Sequence, residues 1–504
     1  MTQIKNKRGA HDTSGTSALL QEFNDAAAKA YVQPYLVANS TLSKVNQHTL
    51  FFRYSQGKAA QSATLFAVAR NIVLFYFKSA YELLMILGSV SLHKFSSPRT
   101  FTKSGQELFI DAYVVIGSTP KSTLNNYLPM LTQVAVQRGW KVTILPRIYG
   151  SRNPFLNREV ITSLRTGGID VLTELDLLTP SDYLYLCVHI LIYPWLLLAL
   201  ARTLPRTREG LFVRFAILSE IGQSSLSGAI RYRFGQHLAS IVSANDRLIQ
   251  WHENQPYDKT LNRGFRNAGA KTPIYGAQLL IGPPEFQNLQ LDKNEPRSHS
   301  PNRILVTGSL YLDRTSNIPY EIGPALRYAE LFKHRVYMHN PTKVLVLMSY
   351  IESSASYTQK LALQTQLAQN LVFKFHPAAP HPNLQRLIPG SSQTTKGTLY
   401  EALENTKLLI GSGSGALLEA IVMGISVIVT REPGVAHFSY VPDIGRGLLW
   451  VEVSSAREMQ DAINQLSESS ENRKEEILAA RNEMRRQCFA VEPTAETIRA
   501  AFDL

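Results

Sequence analysis

The rhythm of apolar positions along the 504-residue chain changes near residue 109. Residues 1–60 are polar and Ser/Thr/Asn-rich, without a sustained period. That pattern predicts disorder over the first 17 and a loose helical extension after them. Residues 64–87, TLFAVARNIVLFYFKSAYELLMIL, are apolar almost throughout, and helices are expected to about residue 93. A turn-rich linker containing Pro98 and Gly105 follows. From 109 onward short apolar runs alternate with helical segments. A strand is expected over 112–118, a helix over 122–139 with Ser122 as cap and Gly139 as terminator, and a strand over KVTILPRI. Further strands are expected at 168–175, 210–218, 246–253, 272–278 and 302–308, with a helix over 226–243. The polar stretch 291–302 reads as an exposed loop.

A second regular series then appears. Strands 343–350, 371–377, 407–412 and 425–430 alternate with helices 354–370, 397–406 and 415–424, so residues 341–452 form one doubly wound unit. Amphipathic helices complete the chain, long enough to return to the first unit. The expected fold class is therefore α/β, with two doubly wound parallel sheets facing a central cleft and a helical N-terminal extension. The divisions fall at 1–108, 109–308, 309–470 and 471–504. Ligands bind such sheets outside the carboxyl ends of the strands, so the cleft should hold the chemistry.

Composition narrows the partners. Hydrophobic residues make up 44% and charged residues 18%, which suits a folded chain, and 52 Lys/Arg against 39 Asp/Glu give a net charge of +13. An anionic partner is implied, yet no run of five basic residues occurs and no basic cluster is interleaved with exposed-looking aromatics, so an anionic small molecule or glycan fits better than nucleic acid. The two cysteines, Cys187 and Cys488, exclude a disulfide framework or a cysteine zinc site. The opening residues lack a signal-peptide core, which places the protein in the cytoplasm. Arg70, Lys78 and Glu82 argue against 64–87 spanning a bilayer, and 189–200 is too short to do so, with Pro194 expected to break or kink it. Both are read as core or interface helices, with peripheral attachment to an anionic membrane face as the other reading.

The strongest local motif is KLLIGSGSGALLEAIVMGISVIV, residues 407–429. A strand runs into Ser412, Gly413, Ser414 and Gly415, small residues that leave backbone N–H groups open where a helix begins. Such a start receives phosphate through unspent donors and the helix dipole. Glu419, one turn on, could accept from a ribose hydroxyl; as structure alone the glycines make a tight turn and Glu419 faces solvent. No Lys completes a Walker loop, and no acid sits where a dinucleotide fingerprint needs one. The second motif is Lys374-Phe375-His376-Pro377 at a strand end, where Pro377 stops the ladder and His376 is left at the carboxyl edge. It either donates to a phosphate or carboxylate or satisfies loop carbonyls.

A K-x-H-P strand end, a Gly/Ser turn and a following glutamate in the second of two doubly wound units resemble the donor half of GT-B glycosyltransferases. The likeness is greatest to bacterial capsule and surface-carbohydrate enzymes of sialyltransferase-like or Kdo-transferase-like type. It implies two Rossmann-like domains, a nucleotide-sugar donor such as a CMP-sugar, a glycan or lipid-linked glycan acceptor, and transfer without a metal or other cofactor. It also implies that Lys374, His376, Pro377, Ser412, Gly413, Ser414 and Gly415 hold the donor phosphate or nucleotide, with Glu419 on the ribose. The chain departs from the sialyltransferase-like pattern in lacking an Asp-Gly acid pair in its first domain.

Residues 251–259, Trp-His-Glu-Asn-Gln-Pro-Tyr-Asp-Lys, follow the strand at 246–253. Sugar transfer needs a base near the acceptor hydroxyl, and Glu253 is the first choice because it stands at the strand end. Asp258 is the reserve, with helix capping or pairing to Lys259 or Arg263 as its other role. Asn254, Gln255 and Gln278, and the turn at Gly117 and Ser118, flank the same edge on the acceptor side. The competing functions are a UDP-sugar epimerase, a glycerophosphotransferase and a non-catalytic nucleotide- or glycan-binding protein.

Overall fold

The computed structural model describes residues 65–94, 105–115, 128, 130–149, 153–206, 210–211, 214–215, 217–218, 221, 225–283, 289, 291, 296–333, 342–376, 379–433 and 439–504. Gly117, Ser118 and Pro377 lie outside them, as does the N-terminal segment before residue 65.

Two parallel sheets organise the chain. The first contains β1 (Glu107–Val115), β2 (Lys141–Tyr149), β3 (Asp170–Val171), β4 (Arg247–Trp251), β5 (Ile274–Ala277), β6 (Arg303–Val306) and β7 (Tyr320–Ile322). Their spatial order is β3-β2-β1-β4-β5-β6-β7. The second contains β8 (Lys343–Leu347), β9 (Leu371–Lys374), β10 (Gln393–Thr394), β11 (Thr406–Gly411), β12 (Ser426–Thr430) and β13 (Trp450–Val453), ordered β10-β9-β8-β11-β12-β13. Each sheet starts at its centre, winds outward to one edge, then returns to the centre and winds the other way. Its direction reverses between β1 and β4 in the first, and between β8 and β11 in the second. The fold class expected from the sequence is present. The apolar runs follow from helices covering both faces: Leu345, Val346, Leu409, Ile410, Val427 and Ile428 are all buried.

Helices α1 (Leu65–Lys94) and α2 (Pro180–Thr203) pack beside α3 (Leu226–Ile241), which lies against α4 (Pro256–Asn267). On the second sheet, α5 (Gly415–Val422) follows β11 directly. The chain then ends in α6 (Lys474–Cys488) and α7 (Ala495–Phe502). The last of these buries Ile498 and Phe502 in the core of the first sheet.

Several expectations need correction. Residues 210–211, 214–215 and 217–218 are helical rather than a strand; the apolar run joins the helical core around Phe75, Tyr193 and Leu197, which favours helix whatever its strand-like composition. Pro194 neither ends nor splits its helix, and the short apolar run at 189–200 is part of the 24-residue α2. Pro194 is itself buried in the packing, and tertiary contacts outweigh the lost backbone bond. The first sheet extends past residue 308, because β7 pairs in parallel with β6.

Candidate functional site

The reversal point of the second sheet is built from small residues. Strand β11 ends at Gly411 and α5 begins at Gly415, with Ser414 as its cap: the Ser414 hydroxyl accepts from the Ala416 N–H at 3.3 Å. A Cβ added at Gly413 would meet only Tyr440, at 4.0 Å, so the backbone there is approachable. The Ser412 hydroxyl is buried and, among the described residues, has no hydrogen-bond partner. A buried hydroxyl beside a helix N-terminus with no partner among the described residues has a hydrogen bond left to give.

Neighbouring strand ends supply the rim. Tyr350, just beyond β8, meets the His376 ring edge-on at 5.3 Å. His376 has its pKa lowered by partial burial and then by His381, so it stands neutral at physiological pH. His381 is occupied, its Nε2 lying 2.9 Å from the Ser349 carbonyl. Lys374 turns away from this rim: its Nζ donates to the Gly397 carbonyl at 2.7 Å, and burial lowers its pKa. Glu419 also turns inward. Its buried carboxylate accepts from the Tyr400 hydroxyl at 2.6 Å, and burial raises its pKa against the opposing pull of Arg327.

The reversal point of the first sheet is built from charges. Strand β4 ends at Trp251, and the chain passes through Asn254 in the left-handed region (φ 57°) before α4 starts. Asp258 holds this bend: its Oδ2 accepts from the N–H groups of Glu253 and Gln255, both at 3.0 Å, and its Oδ1 lies 2.6 Å from Arg147. Arg147 also donates through Nε to Asp111 at 2.8 Å and pairs with it a second time through its terminal nitrogen. Arg231 bridges Asp111 at 2.6 Å and Glu174 at 3.0 Å. Burial alone would raise the Asp111 pKa, but the two guanidiniums overcome it and hold the carboxyl below its usual range.

Glu253 projects from this frame. The Trp251 indole donates to its Oε1 at 3.0 Å and the Gln255 amide donates to its Oε2. Burial, then the Asp258 charge, pushes its pKa upward. A carboxyl so placed is oriented from two sides and made a better base than an exposed glutamate. Gln278 is committed elsewhere, accepting from the Thr307 N–H at 3.0 Å and so tying the end of β5 to that of β6.

Thus Glu253, Asn254, Gln255 and Asp258 form one cluster, and Ser412, Gly413, Ser414 and Gly415 another. The chain leaving β5 links them: the Ile281 carbonyl oxygen lies 3.8 Å from where a Cβ on Gly415 would stand. The loops that follow β5 and β11 are therefore in contact. Sequence reasoning passed over Asp111, Arg147 and Arg231. The first two are charges in the interior of the apolar strands ELFIDAYVV and KVTILPRIY, whose other charges, Glu107 and Lys141, stand at the strand starts, and that misfit was the available signal.

No family model and no curated protein sequence matches the chain. Among solved structures it is similar to MurG of Acinetobacter baumannii, with 14% identity, a TM-score of 0.41 and coverage of 79% of this chain and 98% of that one. It is similar to the glycosyltransferase SnogD of Streptomyces nogalater at 13% identity and a TM-score of 0.37, covering 79% and 98%. It is also similar to a UDP-GlcNAc 2-epimerase from Neisseria meningitidis bound to UDP-GlcNAc, at 10% identity and a TM-score of 0.44, covering 79% and 99%.

Proposed function

We propose that the chain is a glycosyltransferase of GT-B type that binds a nucleotide sugar at the second reversal point and a glycan acceptor at the first. The observation that carries this reading is the buried, unpartnered Ser412 hydroxyl at the start of α5. With the N–H groups of the first turn it offers donors to the leaving phosphate, whose growing negative charge the helix terminus stabilises. Neutral His376 donates from the neighbouring strand end. Glu253 takes the proton from the acceptor hydroxyl as that oxygen attacks the anomeric carbon, and the sugar–phosphate bond breaks as the new glycosidic bond forms.

The test is calorimetry with CMP, UDP and GDP, followed by product analysis with the matching nucleotide sugars and a panel of glycan acceptors. The reading requires one nucleotide to bind and its sugar to appear on an acceptor. Folded protein that binds none of the nucleotides would remove it.

A further inference from the structure

Helices α1 and α2 are apolar on faces that meet nothing in the described structure. Their inner faces are well used. On α1, Asn71, Phe75 and Ser79 recur every four residues and are buried, with Phe75 stacked on Tyr193 of α2 at 5.6 Å. The outer face of α1 carries Phe66, Val73, Phe77, Leu84 and Leu87, all exposed, Phe66 by 80% and Phe77 by 73%. The outer face of α2 carries Leu184, Val188, Leu191 and Trp195, also exposed. The two stripes are fastened side by side, since Trp195 Nε1 donates to the Tyr76 hydroxyl at 3.0 Å and that hydroxyl donates to the Leu191 carbonyl at 3.2 Å.

A soluble surface seldom leaves so many large apolar side chains contiguous. Each helix is long and apolar enough to cross a membrane, but the packing of their inner faces against the fold keeps them at its surface. From Phe66 to Leu87 the stripe on α1 runs about 32 Å at 1.5 Å per residue. Among residues 65–92 and 180–203 the exposed charged side chains are Arg70 and Arg202, both cations, in a chain of net charge +13. The carboxylate of Asp182 is buried.

We propose that these two outer faces form a docking surface for an anionic lipid bilayer, with α1 and α2 lying in the plane of the interface. Apolar side chains enter the acyl boundary while the cations meet lipid phosphates. A second copy of the chain fits less well, because a two-fold pairing of this face brings like cations together without an exposed carboxylate on either helix to receive them. The surface is also placed to matter: α1 and α2 pack on α3, which carries Arg231 and lies against α4, where Asp258 holds the bend at Glu253. The inference does not depend on the nucleotide reading.

The experiment uses the full-length protein and its own fluorescence. Of its four tryptophans, Trp140, Trp251 and Trp450 are buried and Trp195 is 57% exposed. With vesicles of phosphatidylcholine and phosphatidylglycerol, the protein should float with the lipid, its emission should shift to the blue, and acyl-brominated lipids should quench it. The combined change Phe77→Gln, Leu84→Gln, Leu191→Gln alters exposed side chains only. It should reduce binding more than tenfold while the thermal unfolding curve stays in place. Arg70→Gln should weaken binding about fivefold at low salt, as expected for one cation at the surface. A monomer that remains free of vesicles at low salt, with Trp195 unquenched, overturns the proposal. So does a dimer that the triple variant dissociates while vesicle binding is unchanged; the face would then belong to a second copy.

Discussion

The two reversal points share a topology and differ in what fills them. At the first, Asp111, Arg147, Arg231 and Asp258 are buried together and joined by ion pairs, though Arg147 and Arg231 each keep one nitrogen without a hydrogen bond among the described residues. At the second, a turn of serine and glycine leaves the Ser412 hydroxyl buried without a partner among the described residues. Closed charge pairs fix geometry and leave Glu253 standing at a set angle. An open donor beside a helix start has affinity to spare for a ligand. The difference teaches that the same topology can end in a paired charge network or in an open turn, which on the proposed function would serve as frame and receptor.

The sharpest way to break that contrast is Glu253→Gln. It should lower turnover by roughly 10²–10⁴-fold with nucleotide affinity nearly unchanged, and both are measured on the same folded variant. Full turnover would remove Glu253 from the chemistry, and a loss confined to nucleotide affinity would move it to the donor side. Arg147→Met comes next. It removes the cation from Asp258 Oδ1 and leaves Asp111 with Arg231 alone, so chemical denaturation should show a loss of about 3–5 kcal/mol. A loss below 1 kcal/mol would mean that the network is not the frame.

On the receptor side, His376→Ala should weaken nucleotide binding by about 1.5–3 kcal/mol, the worth of a hydrogen bond to a charged group, without a comparable change in stability. Ser412→Ala should weaken binding by about 0.5–1.5 kcal/mol and leave stability level or slightly raised, since it deletes a buried hydroxyl that has no partner. A clear loss of stability instead would show that the hydroxyl is engaged within the fold.

The smallest effect separates the carboxyls by the sign of their pH response. Asp111 has a lowered pKa, so its stabilising contribution is complete above its unfolded value and fades as pH falls through the folded one. Glu419 has a raised pKa, so its protonated form is favoured in the fold, and stability is lost as pH rises through that elevated value. Glu419→Gln should flatten the stability profile on that rising side and leave the acid limb alone. An unchanged rising limb would assign the loss to another group.

Much of this was legible in the chain. Apolar runs of four to six residues such as KLLIG announce buried parallel strands, and the Gly/Ser turn after them marks the start of α5. Glu253 was readable as a strand-end acid. The inward turn of Lys374 toward Gly397 and of Glu419 toward Tyr400 was not, because strand and helix periods give a face and not a partner. The charge network was hidden for a related reason: Asp111, Arg147, Arg231 and Asp258 come from four separate elements, brought together by the pairing of β1 with β2 and the packing of α3 on α4. Residues 210–218 misled because β-branched and aromatic composition is a weak guide beside two long helices in need of a neighbour.

The return of the chain end also ties the two halves together. Polypeptide passes between the sheets once near Gly323–Ala325 and again near Ala490–Val491, and the passages are bonded to each other, with Pro324 bridged to Val491 and the Ala325 N–H donating to the Val491 carbonyl at 3.0 Å. Beside these passages the two sheets share apolar core, Ile304 and Val306 of the first lying in one cluster with Leu345, Leu409 and Val427 of the second. The last residues of the chain are therefore part of what joins the two halves, and their loss would be felt at both.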